Sequence, residues 1–147
     1  MTTPATTTVL LVEDNAADSY LTQLAVKECG PDLQPRVVTD GVEALRFLRK
    51  DVAFAFAPTP TLIILDLQLP KMGATEILPA IRQLPAHRAT PIVVLSDTAK
   101  EREEEYCLHL GASEYVQKSL DGSVYLDSIK ACVRHWLKAA DAQRERT

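Results

Sequence analysis

Leu62-Ile-Ile-Leu-Asp-Leu-Gln-Leu-Pro-Lys71 opens with four aliphatic residues in a row and then turns polar at Asp66. A short apolar run without polar alternation is the pattern of a strand buried on both faces, as in a parallel sheet. Two other segments repeat the pattern. Val9-Leu-Leu-Val12 is followed by Glu13-Asp14, and Ile92-Val-Val-Leu95 is followed by Ser96. Arg36–Thr39 and Ser113–Val116 read as two weaker strands, the second followed by Gln117 and Lys118.

The segments between the strands carry helical periodicity. Leu21, Leu24 and Ala25 give the first helix an apolar face. Asp40-Gly-Val-Glu43 has the form of a capping box, with Asp40 as the cap and Glu43 three residues on. Val42, Leu45 and Leu48 follow at helical spacing. Leu126, Ile129, Val133, Trp136 and Leu137 predict a strongly amphipathic last helix. Pro79 falls inside a third helix, Thr75–Arg82, where it lacks an amide proton and crowds the Thr75 carbonyl; a late start or a distorted first turn is expected. Asp51–Thr61, with Pro58 and Pro60, reads as a long loop. Five strands alternating with five helices imply a doubly wound α/β fold, with ligands at the C-terminal ends of the strands.

Composition narrows the function. The chain has 147 residues, enough for one compact domain with a real core. Hydrophobic residues make up 46%, charged residues 24%, and the net charge is −4. That balance gives no support for a basic nucleic-acid footprint. No apolar run approaches the ~18 residues of a membrane span, and Met1–Thr8 lacks the basic start and apolar stretch of a secretory signal. Cys29, Cys107 and Cys132 have no metal-ligand spacing and read as reduced cysteines of a cytosolic protein. His87, His109 and His135 also lack ligand spacing, and the five glycines form neither a dinucleotide-binding fingerprint nor a P-loop. Lys100-Glu-Arg-Glu-Glu-Glu105 reads as the solvated start of the fourth helix, its acids favoured by the helix dipole.

The strand ends carry the chemistry. Glu13, Asp14, Asp66, Ser96 and Lys118 all fall at one edge of the expected sheet. Grouped carboxylates raise one another's pKa unless a cation neutralises them. Mg²⁺ takes one or two carboxylates together with phosphate oxygens. A carboxylate also serves as the nucleophile that forms an aspartyl phosphate, and a lysine and a hydroxyl then stabilise the phosphoryl oxygens.

In these segments, together with Tyr115-Val-Gln-Lys-Ser119, the sequence resembles the receiver domains of two-component response regulators, the CheY-like family. The resemblance covers most of the chain, with a receiver over 8–138 and short flexible tails at 1–7 and 139–147. It implies a flavodoxin-like (βα)5 sandwich, its five parallel strands in the order 2-1-3-4-5. It implies Asp66 as phosphoacceptor and Mg²⁺ held by Glu13, Asp14, Asp66 and the Gln68 carbonyl. Ser96 and Lys118 match the groups that contact the phosphoryl group, and Tyr115 matches the aromatic that moves with the hydroxyl. The Val-Glu-Asp-Asn-Ala-Ala-Asp18 opening, the long loop before the third strand, Leu-Pro-Lys71 and Lys118-Ser119 are similar to single-domain regulators that serve bacterial phytochromes. A histidine kinase partner, here a bacteriophytochrome, follows from that likeness. So do a cytoplasmic homodimer using helix four, strand five and helix five, no fused DNA-binding module and no membrane contact. The chain is then a phosphoacceptor rather than an enzyme, supporting its own phosphotransfer and autodephosphorylation.

Two positions depart from the family pattern. Gly73-Ala74 stands where many receivers have Asp-Gly, and Ser119 stands where most have a cis-favouring proline. Other functions compete with the switch: a phosphate sink, an unphosphorylated scaffold, or a phosphatase with an aspartate nucleophile. The last normally has a second acid two residues after the nucleophile, where this chain has Gln68.

Overall fold

The computed structural model describes residues 6–97 and 101–145. Strands β1 (Thr7–Val12), β2 (Leu33–Val38), β3 (Leu62–Asp66), β4 (Ile92–Ser96) and β5 (Glu114–Gln117) alternate with helices α1 (Ala16–Cys29), α2 (Gly41–Arg49), α3 (Ala74–Gln83), α4 (Glu101–Leu110) and α5 (Gly122–Glu145). All neighbouring strands are parallel, in the order β2-β1-β3-β4-β5. The doubly wound sheet and its order are those expected. The order reverses between β1 and β3, so Val12 lies beside Leu65, and Asp66 lies beside Leu95 of β4.

Strand alternation sorts the core into two layers. Val9, Leu11, Leu62, Ile64, Val93 and Leu95 face α1 and α5, where Ala25, Val26, Ile129 and Val133 meet them. Leu10, Val12, Ile63, Leu65, Ile92 and Val94 face the opposite way, onto Phe47, Ile77, Leu78, Ile81 and Cys107 of α2, α3 and α4. Every residue of β3 and β4 is buried, which is why neither strand shows polar alternation in sequence.

Several elements differ from the sequence reading. α1 turns Thr22, Ala25 and Val26 to the core with Leu21 at its margin, while Leu24 is only half-buried. Thr22 belongs to that face because its hydroxyl meets the buried Tyr125 hydroxyl at 2.8 Å, tying α1 to α5. α2 is capped as expected, Asp40 accepting from the Glu43 amide at 2.7 Å and Glu43 from the Thr39 hydroxyl at 3.2 Å. Its buried face is Ala44, Leu45, Phe47 and Leu48, however, and Val42 lies outside it, 40% exposed. α3 begins at Ala74, earlier than expected, and runs through Pro79 without interruption. The loop before β3 contains a single 3-10 turn, Val52–Phe54, pinned by Phe54 against Phe47 at a ring separation of 5.4 Å. β2 begins at Leu33 and includes Pro35, tolerated because this strand is at the sheet edge. α5 continues to Glu145, so residues 139–145, expected as tail, are helical.

At the N-terminal ends of the strands, Arg82 donates to the carbonyls of Gly111, His87 and Thr90 at 2.6–2.9 Å. His87 is buried beside it, and desolvation, then the charges of Arg82 and Lys50, hold its pKa below the usual histidine value. Cys29, Cys107 and Cys132 are all free thiols.

The observed face of α2 is tested by a pair of truncations. Leu45→Ala should cost about 2–5 kcal/mol in denaturant unfolding. Val42→Ala should stay within about 0.5 kcal/mol of wild type. Equal costs would contradict the placement of that helix.

Candidate functional site

The acids and the amine reach one place because strand alternation puts them on one side. Glu13 continues the alternation of Val9 and Leu11, Asp66 that of Leu62 and Ile64, and Lys118 that of Val116, all on the side covered by α1 and α5. There the Lys118 ammonium donates to Asp66 Oδ2 at 2.8 Å, to Asp18 Oδ2 at 2.8 Å and to Glu13 Oε1 at 3.0 Å. The lysine side chain is only 7% exposed. The second oxygen of Asp66, Oδ1, accepts the backbone N–H of Gln68 at 2.8 Å. Glu13 Oε2 accepts the Asn15 amide at 3.3 Å, just where Asn15 caps α1 by accepting from the Asp18 amide.

Burial and mutual repulsion divide the two buried acids into different roles. Burial first, and then the hydrogen bond to Asp66, pushes Glu13 up to about 8, against the pull of Lys118. Burial also raises Asp66, but the hydrogen bonds from Glu13, Lys118 and the Gln68 amide outweigh it, leaving Asp66 below the usual carboxylate range. Glu13 therefore holds a proton at neutral pH while Asp66 carries charge. Burial lowers the Lys118 pKa, yet its bonds to Asp18, Asp66 and Glu13 overcome that and hold it well above the ordinary lysine value. The result is an ionised carboxylate, hydrogen-bonded at both oxygens, at the end of the central strand beside a fixed cation.

Of the residues singled out in the sequence, Glu13, Asp66 and Lys118 meet directly. Asp14, next to Glu13 in the chain, is exposed and not among the clustered carboxylates, the third of which is Asp18. Glu13, Asp18 and Asp66 each offer an oxygen within 4.8 Å of the others. Hard carboxylate oxygens in such a group fit a divalent cation such as Mg²⁺, which also relieves their repulsion. Gln68 contributes its backbone amide to Asp66. Ser96 and Tyr115 lie on the other side of the sheet, with Ile92 and Val94, and face α4. Both donate to one oxygen, Glu103 Oε1, at 2.9 Å and 2.6 Å. Among the described residues no peptide bond is cis, so Lys118 reaches the site through a trans bond to Ser119. Asp18 and Glu103 were missed as site residues. The signal for Asp18 was its place in the first turn of α1; for Glu103 it was the fourfold spacing to Cys107, which marks the inward face of α4.

The sequence profile of the response regulator receiver domain matches residues 9–130. The chain belongs to that family. Response regulator Rcp1 of Synechocystis is 33% identical to this receiver over 130 residues, covering 88% of each chain. The crystal structure of the phosphorylated cyanobacterial phytochrome response regulator RcpA superposes with a TM-score of 0.85 at 35% identity, covering 92% of this receiver and 96% of that chain. The Mn²⁺-bound form of Rcp1 superposes with a TM-score of 0.81 at 33% identity, covering 89% and 94%. The receiver is thus a signalling module of the two-component type. No helix among its described residues is long and apolar enough to cross a membrane.

The raised Glu13 predicts a stability that falls with pH. An unfolded chain releases the Glu13 proton near the ordinary value of 4.5, whereas the folded receiver keeps it to about 8. Between those values the folded state binds more protons, so each rise in pH favours unfolding, by at most about 1.4 kcal/mol per pH unit for one proton. Buried His87, its pKa lowered, acts in the opposite sense near the ordinary histidine value, so the measurement is the difference: in urea unfolding from pH 5 to 8 in chelator, wild type should lose stability relative to Glu13→Gln as pH rises. An identical slope in the two proteins would refute the assignment of the proton to Glu13.

Proposed function

We propose that this protein is a response regulator that accepts a phosphoryl group on Asp66 from a histidine kinase and passes the signal on through its α4–β5–α5 face. The observation that carries the reading is Asp66 itself. It is buried, charged and held at both oxygens, by the Gln68 amide and by Lys118. In the transfer, an Asp66 carboxylate oxygen forms a bond to phosphorus while the donor's phosphorus–nitrogen bond breaks, its electron pair remaining on the histidine nitrogen. Lys118 is already in place to bind the incoming oxygens. Glu13, held in place by its bonds to Lys118 and Asn15, lines the same pocket.

Mg²⁺ bound by Glu13, Asp14, Asp66 and the Gln68 carbonyl supplies positive charge against the developing phosphoryl charge. In this reading the exposed Asp14 serves as a metal ligand, and Asp18 remains with Lys118. Hydrolysis of the phosphoaspartate in the same site resets the switch. The Mn²⁺-bound Rcp1 relative supports a divalent cation here, and the phytochrome regulator RcpA supports a bacteriophytochrome as the kinase. A cytoplasmic homodimer through the α4–β5–α5 face fits the exposed Tyr106 and Leu108 of α4.

Labelling with acetyl phosphate and Mg²⁺ tests the site. Asp66→Asn should abolish labelling, since an amide is not a competent nucleophile, and Asp14→Ala should lose most of it. Persistent labelling of Asp66→Asn would place the acceptor elsewhere. Wild-type labelling of Asp14→Ala would remove Asp14 from the metal set.

A further inference from the structure

The three acids in the first turn of α4 are not equivalent. Glu101 and Glu104 are exposed, as is Glu105 just beyond them, whereas Glu103 is half-buried. Four residues on, Cys107 is 1% exposed and packs in the core, so Glu103 belongs to the inward face of the helix. Its Oε1 accepts the Ser96 hydroxyl at 2.9 Å from the end of β4 and the Tyr115 hydroxyl at 2.6 Å from β5. One carboxylate oxygen therefore joins three elements: the strand end beside Asp66, the edge strand, and the helix of the proposed output face. A helix-dipole interaction explains an acid in this turn but not this orientation, since the exposed acids enjoy the same field.

A serine hydroxyl has a single proton to give. In this structure it goes to Glu103. In the proposed function a phosphoryl oxygen on Asp66 would take that same proton. We propose that Glu103 is a positioning residue that competes with the phosphoryl group for the Ser96 hydroxyl, and so holds both Ser96 and Tyr115 in the unphosphorylated arrangement. The proposal rests on Asp66 being the phosphoacceptor. Phosphorylation then replaces one acceptor with another instead of filling an idle donor. Losing Ser96 leaves Glu103 with one of these two hydroxyls and removes this bond between the first turn of α4 and β4. The shift in population is set by the difference between the two acceptors, not by the strength of either bond alone.

Two measurements test this. The first needs no phosphate. In the unmodified protein, Glu103→Ala should shift the Tyr115 ring resonances, and Glu103→Gln, whose amide oxygen still accepts, should largely keep them in place. Unshifted resonances in Glu103→Ala overturn the latch whether or not Asp66 accepts phosphate. The second uses beryllofluoride, a phosphoryl mimic, with Mg²⁺. Glu103→Ala should bind it at least about fivefold more tightly, because a hydrogen bond to a charged acceptor no longer has to be broken. Glu103→Gln should fall between that variant and wild type. In a Ser96→Ala background the gain should vanish, since Glu103 acts through that hydroxyl. Unchanged affinity, or the same gain without Ser96, refutes the competition. A wild-type protein that binds no beryllofluoride and takes no label refutes Asp66 as acceptor, and the phosphate-free spectra still judge Glu103.

Discussion

A buried ammonium shared by three carboxylates holds the functional edge of this protein together. Lys118 comes from beyond β5, Asp66 from the end of β3, Glu13 from the end of β1 and Asp18 from α1, and their contacts span 2.8–3.0 Å. Desolvating such a group is costly, and removing one partner from a buried ion pair typically costs more than the pair contributes. Lys118 keeps the carboxylates from repelling one another apart, and they keep Lys118 charged in a nearly closed site. The proton on Glu13 completes the balance. Any charge added at this edge would redistribute that balance.

The fold was legible because its central strands are buried on both faces. Leu62–Leu65 and Ile92–Leu95 contain no polar residue, and their alternation with helical segments points to a parallel sheet. The edge strand β2 was read short because Pro35 and the exposed positions around it dilute the signal. Helix faces were harder. Thr22 takes a core position that a hydrophobic periodicity cannot detect, because its partner is a hydroxyl on α5. Val42 fits the spacing of α2 but sits in its first turn and lies open to solvent.

Within the site, the residues at strand ends were legible and those on helices were not. A strand end fixes where a side chain stands, so Glu13, Asp66 and Lys118 could be placed together from order alone, whereas Ser96, at the end of β4, bonds Glu103 on the other side of the sheet. Asp18 and Glu103 approach from helices, and their reach depends on how α1 and α4 dock. Asp14 shows the converse: the adjacent acids Glu13 and Asp14 look equivalent in sequence, yet backbone alternation sends one inward and leaves the other exposed.

The two sides of the sheet impose an arithmetic on how such a protein can change. Asp66 and Lys118 occupy one side of the sheet, Ser96 and Tyr115 the other, purely by odd and even count along β3, β4 and β5. A one-residue insertion or deletion inside β4 would carry Ser96 to the wrong side, along with the buried partners that define its layer. Changing the strand by two residues would preserve the side. Within the strands, parity of length thus decides which layer each of these side chains joins.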